Sequence, residues 1–191
     1  MRKITTEGFV IKNINLKDSD KLFTILTKER GKISAVAKGV RKITSRRGGS
    51  LDTLNKVLIQ LNTSKSGYYY ITEVTATKSY QNIKGNLEKI KQATYVLEFV
   101  NKTVYDESEE GFVFNLLEKV LDELNFLDNN IVFVVNKFEL KMLKYLGYES
   151  PKEVLFEWRD LVKKEDFESA NKIVKSYVRE ILQEDFKSLE F

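Results

Sequence analysis

Leu22-Phe23-Thr24-Ile25-Leu26-Thr27, Glu29-Arg30-Gly31-Lys32 and Ile33-Ser34-Ala35-Val36-Ala37-Lys38 read in succession as strand, turn and strand. The first segment is β-branched and apolar, Gly31 supplies a positive φ at low cost, and the three together predict a β-hairpin. On its N-terminal side, Thr6 to Ile14 holds the partly alternating set Phe9, Ile11 and Lys12 and predicts another strand. On its C-terminal side, Val57-Leu58-Ile59-Gln60-Leu61 is a further strand. Thr63-Ser64-Lys65-Ser66-Gly67 is a turn, and Tyr68-Tyr69-Tyr70-Ile71-Thr72-Glu73-Val74 is a fifth strand. Five short strands at the spacing of all-β domains predict a small barrel, for which an OB-type barrel is the natural candidate.

After residue 80 the apolar period changes from two to about 3.6. Ile90, Ala93, Leu97, Val100 and Val104 share one face of a helix expected from about Leu87 to Tyr105. Asp106 to Gly111 is a polar break. Val113, Leu117, Val120, Leu124 and Leu127 mark the next helix, and Ile131, Val134, Phe138 and Met142 the one after, with Gly147 as its stop. Ser150-Pro151 opens a short segment, and Phe167 to Gln183 is the last helix, with Ala170, Val174, Tyr177, Val178 and Ile181 inward. These stripes are read as helix core, not as a cofactor site. The expected fold class is α+β: a five-stranded OB-type β-barrel over 1–80 that binds nucleic acid. An all-helical domain over 81–191 is expected to bind partners and pack against the barrel. The boundary is expected between Tyr80 and Gly85.

The net charge of +4 conceals a division along the chain. Residues 1–80 carry 16 Lys+Arg and 6 Asp+Glu, whereas residues 81–191 carry 16 and 22. Such asymmetry points to a polyanion as partner of the first half. The cations concentrate between Lys28 and Arg47, where Lys28, Arg30, Lys32, Lys38, Arg41, Lys42, Arg46 and Arg47 face one acid, Glu29. A solvated basic surface is the bland reading of such a run. Its position between strands, beside Gly39 and Gly48-Gly49, favours a binding loop. Lys28, Lys32, Lys38, Arg41, Lys42, Arg46 and Arg47 are therefore the candidate phosphate contacts. Tyr69 is the candidate base-stacking residue, since at least one of three consecutive tyrosines must leave the sheet outward. A structural role for these tyrosines remains the competing reading. In the acidic half, Lys137, Lys141 and Lys144 fall on one helix face and form a candidate dock for an acidic peptide tail, against the alternative of a solvated face.

The absent residues exclude much chemistry. There is no cysteine and no histidine, so disulfides, Cys/His zinc sites, Ser-His-Asp triads and imidazole acid–base catalysis are impossible within the 191 residues. No phosphate-loop pattern is present, and Asp18 and Asp20 alone read as turn residues, not a metal site. No enzyme activity and no cofactor are expected. The longest apolar run, Ile131 to Val135, is far shorter than a membrane span, and charges at Glu7 and Lys12 interrupt any signal-peptide core. The expected location is the cytoplasm, with no membrane partner.

Asp18-Ser19-Asp20-Lys21, Phe23-Thr24 and Gly31-Lys32-Ile33-Ser34-Ala35-Val36-Ala37-Lys38-Gly39-Val40-Arg41-Lys42 closely resemble the N-terminal signature of the bacterial DNA repair protein family RecO. Glu7-Gly8-Phe9-Val10 is similar to that family's first strand. The resemblance continues at Phe138-Glu139-Leu140-Lys141-Met142-Leu143-Lys144-Tyr145-Leu146-Gly147-Tyr148, at Tyr177-Val178-Arg179 and at Phe186-Lys187-Ser188-Leu189-Glu190-Phe191. What it implies is a nucleoid-associated recombination mediator. Such a protein binds single- and double-stranded DNA and anneals complementary strands. It works with RecR to load RecA onto strands coated by single-strand-binding protein, whose acidic C-terminal tail it contacts. Many members carry a four-cysteine zinc module after the Leu-Gly-Tyr segment. Here the stretch after Tyr148 is short and lacks cysteine, so that module is expected to be missing. Physics alone leaves an RNA-binding adaptor as the alternative, because cations serve either backbone.

Overall fold

The computed structural model describes residues 3–42, 45, 47–106, 111–184 and 186–189. The chain forms two compact units, one of Met1–Gln81 with Leu97–Asn115 and one of Asn82–Val96 with Leu116–Phe191. Strands and helices follow the α+β order expected from the change in apolar period.

The first unit is built on β1 (Lys3–Asn15), β2 (Lys21–Thr27), β3 (Gly31–Ala37), β4 (Lys56–Thr63) and β5 (Tyr69–Lys78). They close a barrel in the order β1-β2-β3-β5-β4. All pairings are antiparallel except β3 with β5, where Ala35 lies opposite Tyr69 and Val36 opposite Tyr70. The interior is filled by alternate residues, among them Val10, Phe23, Ile25, Ile33, Ala35, Val57, Ile59, Leu61 and Ile71. Val40 and Leu51 join this core from the connection between β3 and β4, which also forms the short helix α1 (Arg47–Ser50).

β1 serves two neighbours, pairing with β4 over Lys3–Phe9 and with β2 over Gly8–Asn15. Val10 faces Ile25 and Lys12 faces Thr24, so Ile11 is an extra residue, a bulge. A bulge bends a strand and reverses its in–out phase, and here it lets one long strand close the barrel. At the strand crossing, a Cβ on Gly8 would lie 2.5 Å from Ile25 Cγ2, so only glycine fits. Outside the barrel, Phe9 is fully buried, with its ring centroid 5.0 Å from that of Phe114 and 6.4 Å from that of Tyr80.

The helices are α2 (Gln81–Lys84), α3 (Leu87–Thr103), α4 (Gly111–Phe126), α5 (Ile131–Tyr145), α6 (Lys152–Lys163) and α7 (Phe167–Leu182). Their ends have local causes. Gly147 takes φ 91°, and the Tyr148 and Gly147 amides donate back to the Leu143 and Lys144 carbonyls at 2.9 and 3.1 Å, a Schellman stop for α5. Asp166 caps α7 by accepting from the Ser169 amide at 3.1 Å. The apolar faces of the second unit meet around Leu117, Leu121, Phe138, Met142, Val174 and Val178, all buried.

Inside this second core lies a charged group. Glu139 is fully buried and accepts from the Tyr95 hydroxyl at 2.5 Å, Asn136 Nδ2 at 3.0 Å and Lys175 Nζ at 2.8 Å. Lys175 also lies over the Tyr95 ring, 3.3 Å from its centroid. Burial pushes the Lys175 ammonium below its ordinary pKa, and the Glu139 carboxylate opposes that shift.

Candidate nucleic-acid interface

Two loops meet at one end of the barrel. The turn after β1 runs through Leu16–Asp20, and the loop after β3 through Lys38–Lys42. The Arg41 amide donates to the Ser19 carbonyl at 3.0 Å, and the Gly39 amide to Asp20 Oδ1 at 2.7 Å. Asp18 and Gly39 both take left-handed backbone, φ 56° and 64°, which folds each loop back on itself. An open cleft lies between the loops, lined by Asp18, Ser19, Asp20, Lys38, Gly39 and Lys42.

The cations around this cleft divide by type. The Arg41 guanidinium donates to the Asp18 and Leu16 carbonyls of the other loop. Arg47 donates to the Lys38 carbonyl at 2.7 Å and to the Ile71 carbonyl at 3.1 Å, tying the loop to β5. Both forks are scaffolding in the free protein, as suits a planar group with several fixed donors. The ammonium groups are different. Lys42 is exposed and makes no side-chain hydrogen bond or ion pair among the described residues. Lys38 is exposed, with Nζ 5.0 Å above the Tyr70 ring.

The remaining candidates are distributed elsewhere. Lys28 is exposed in the turn between β2 and β3, at the opposite end of that hairpin from Lys38. Seven residues of strand at ~3.3 Å each separate the two ends by roughly 20 Å. Lys32 is at the far end too, its side chain 13% exposed, with Nζ 2.8 Å from the Asn101 carbonyl and 3.4 Å from the Asp106 carboxylate. Arg46 lies outside the described residues. Tyr69 packs against the barrel core, and its neighbours Tyr68, 67% exposed, and Tyr70 take the other face. The sequence reading takes Asp20 as a turn residue, and it does not choose Tyr70 among the three tyrosines. The signal for Tyr70 was available in strand alternation once the inward phase of Tyr69 and Ile71 was fixed.

A groove runs between α4 and α5 in the second unit. Leu116, Val120, Val134 and Phe138 form its floor, and Lys119, Glu123, Lys137 and Lys141 its rim. Glu123 lies 3.9 Å from Lys119 and 3.8 Å from Lys137, whose Nζ is also 5.1 Å over the Phe133 ring. Lys141 is exposed on the rim, and Lys144, also exposed, is not part of the groove lining. Among the described residues no three acidic, Cys or His groups gather to hold a metal, and the chain has no thiolate or imidazole. The residues present therefore do not fit the four-cysteine zinc module of many RecO proteins. Among the described residues no helix is long and apolar enough to cross a membrane.

The comparisons agree with this architecture. Residues 1–80 match the family described as "Recombination protein O N terminal", and residues 85–150 the one described as "Recombination protein O C terminal". The DNA repair protein RecO of a Thermoanaerobacter species is 30% identical over 151 residues, 78% of this chain and 59% of that protein. That of Clostridium perfringens is 33% identical over 154 residues, 78% of this chain and 60% of that protein. The chain thus spans about three fifths of the length of these relatives. With both parts matched in order along one chain, and with relatives of this name aligned over most of it, the chain belongs to the RecO family of DNA repair and recombination proteins.

Proposed function

We propose that this chain is a non-enzymatic recombination mediator of the cytoplasm that holds DNA at the loop end of its barrel. The observation that carries the reading is the pair of ammonium groups, Lys38 and Lys42, presented at an open cleft whose loops Arg41 and Arg47 tie down. Cations there neutralise phosphates and release counterions without reading sequence. Two strands held in a screened field approach and pair, so annealing needs no bond broken and no catalytic group. Lys28, at the far end of the hairpin, serves as a separate and weaker contact. Lys32 and Arg47, engaged with the protein's own groups, act as supports.

The groove between α4 and α5 suits the acidic tail of single-strand-binding protein. Its floor is apolar, and the pairs of Lys119 and Lys137 with Glu123 are long and worth at most ~1 kcal/mol each, with Lys137 also over the Phe133 ring. Carboxylates of an incoming tail would exchange with Glu123 at little cost. RecR and, indirectly, RecA complete the set of partners implied by family membership.

The test is DNA affinity against salt for Lys38→Ala/Lys42→Ala, chosen because these side chains leave the loop scaffold intact. Two lost phosphate contacts lower the slope of log affinity on log salt by about 1.4 on single strands and about 1.8 on duplex. An unchanged slope and affinity overturn the site. Competition by RNA that exceeds competition by DNA, without strand annealing, overturns the DNA assignment in favour of an RNA-binding role.

A further inference from the structure

Helix α6 lies beyond residue 150, in a part of the chain outside both family matches. Its side chains sort into three rows. At about 100° per residue, Val154, Trp158 and Leu161 share one side. Trp158 is buried there, stacked on the Phe133 ring at 5.5 Å. Glu153, Glu157 and Asp160 share a second side, where Asp160 is bonded to Lys164 at 2.6 Å. Lys152, Phe156, Arg159 and Lys163 make the third row, gathered within about 60° of arc.

This third row points roughly 130° away from Trp158, and all four of its residues are exposed. Phe156 is 76% exposed in the middle of the helix. Lys152, Arg159 and Lys163 make no side-chain hydrogen bond or ion pair among the described residues. At ~1.5 Å rise per residue, the Lys152 and Arg159 positions are about 10 Å apart and those of Arg159 and Lys163 about 6 Å, with Phe156 between the first two. A ring set among free cations fits a ligand that offers negative charges and a flat apolar face together, as an unpaired nucleic-acid strand does. Other occupants fit less well. A second copy meeting the row antiparallel through its own row sets Lys152 against Lys163, like charge on like. An acidic peptide answers the cations and leaves the Phe156 ring without a flat partner.

We propose that Lys152, Phe156, Arg159 and Lys163 on α6 form a second contact for single-stranded nucleic acid, separate from the loops of the barrel. The inference rests on the reading of the chain as a protein that brings DNA strands together, and it supplies the second hold which that reading needs. The barrel cleft holds one strand by its phosphates. Helix α6 holds another by phosphates and one stacked base.

The test counts labelled thymidine oligonucleotides bound per chain, by fluorescence anisotropy over a salt series. It compares the full chain with Lys152→Gln/Arg159→Gln/Lys163→Gln and with Lys38→Ala/Lys42→Ala. Glutamine keeps a helix propensity close to that of lysine and arginine. The parent is expected to bind two strands. The α6 variant loses one and keeps the other unchanged, and the lost phase carries a log–log salt slope of about 2.1 for three phosphate contacts. Phe156→Ala weakens the same phase about tenfold without altering its salt slope. A parent that binds one strand, lost in Lys38→Ala/Lys42→Ala and kept in the α6 variant, overturns the second contact and leaves the barrel site standing. A parent that binds no strand overturns both readings. An oligoglutamate peptide that binds the parent and not the α6 variant, with strand binding equal in the two, assigns the row to an acidic partner and overturns the proposal. If circular dichroism shows the triple variant unfolded, Phe156→Ala alone decides, and an unchanged second phase in it overturns the proposal.

Discussion

Replacing Lys175 by Met leaves the Glu139 carboxylate in the second core without its cation. Glu139 has no exposed surface, so water cannot substitute, and only Tyr95 and Asn136 remain as neutral donors. Breaking one partner out of a buried pair costs about 3–5 kcal/mol, which places Lys175→Met among the most damaging single changes in this unit. The reverse change, Glu139→Leu, is milder, at about 1–3 kcal/mol. Lys175 retains 14% side-chain exposure and can turn its ammonium to solvent, so the main loss is the Tyr95 hydroxyl's bond to Glu139. The double variant removes both charges and returns to within about 2 kcal/mol of the parent, so the cycle yields a coupling of at least about 2 kcal/mol. Urea unfolding reports it through Trp158, the sole tryptophan, which stacks on Phe133 at 5.5 Å in the same unit. Additive single effects, or a Lys175→Met variant within about 1 kcal/mol of the parent, would refute the account of a buried charge held by its partner.

Gly8→Ala forces a Cβ to within 2.5 Å of Ile25 Cγ2 and 3.2 Å of the Leu26 carbonyl, and destabilises the barrel by about 1–3 kcal/mol in equilibrium unfolding. Asp166→Ala lowers the melting temperature at neutral pH. The hydrogen bond donated by the Ser169 amide holds the Asp166 pKa below the ordinary carboxylate value, so the cap's contribution is complete above that ordinary value and is lost as pH falls through the depressed pKa. The gap between parent and variant therefore closes in strong acid, and a gap independent of pH would contradict the capping role. Arg47→Lys preserves charge but cannot bridge the Lys38 and Ile71 carbonyls with two nitrogens. It costs about 1–2 kcal/mol in thermal unfolding and leaves the salt slope of DNA binding as it was. Lys137→Ala/Lys141→Ala weakens binding of an acidic tail peptide severalfold in anisotropy without changing DNA affinity.

What the sequence made legible depended on how local its cause was. The hairpin of β2 and β3, the stop at Gly147, the helix start at Phe167 and most of the helical stripes are written in neighbouring residues and were found where expected, whereas Leu127, read as inward, is exposed, and the short segment after Pro151 is the whole helix α6. The four-residue helices α1 and α2 are too short to show a period. The Ile11 bulge was hidden for another reason. Phe9, Ile11 and Lys12 read as imperfect alternation, and only the partner register reveals that one residue is extra. Lys32 could not be separated from its neighbours in the basic run, because its partners Asn101 and Asp106 arrive far along the chain. Tyr69 was set apart among three tyrosines without a phase to decide between them. The inward positions of Ile71 and Tyr69 fix that phase only once the barrel closes.

The same comparison changes the meaning of the basic run. Eight cations between Lys28 and Arg47 suggest a single electropositive loop. Strand geometry instead sends Lys28 and Lys32 to one end of the hairpin and Lys38, Arg41 and Lys42 to the other. At the latter end, arginine and lysine have different tasks. A guanidinium reaches two carbonyls at once and is weakly hydrated, so it serves to tie loops together. An ammonium is a mobile point charge that loses little by exchanging water, or an aromatic face, for phosphate. Charge count therefore overstates the binding site. The effective charge of the proposed site is set by the ammonium groups that remain uncommitted, chiefly Lys38 and Lys42. If the proposed role holds, binding through so few contacts is weak and easily displaced by salt.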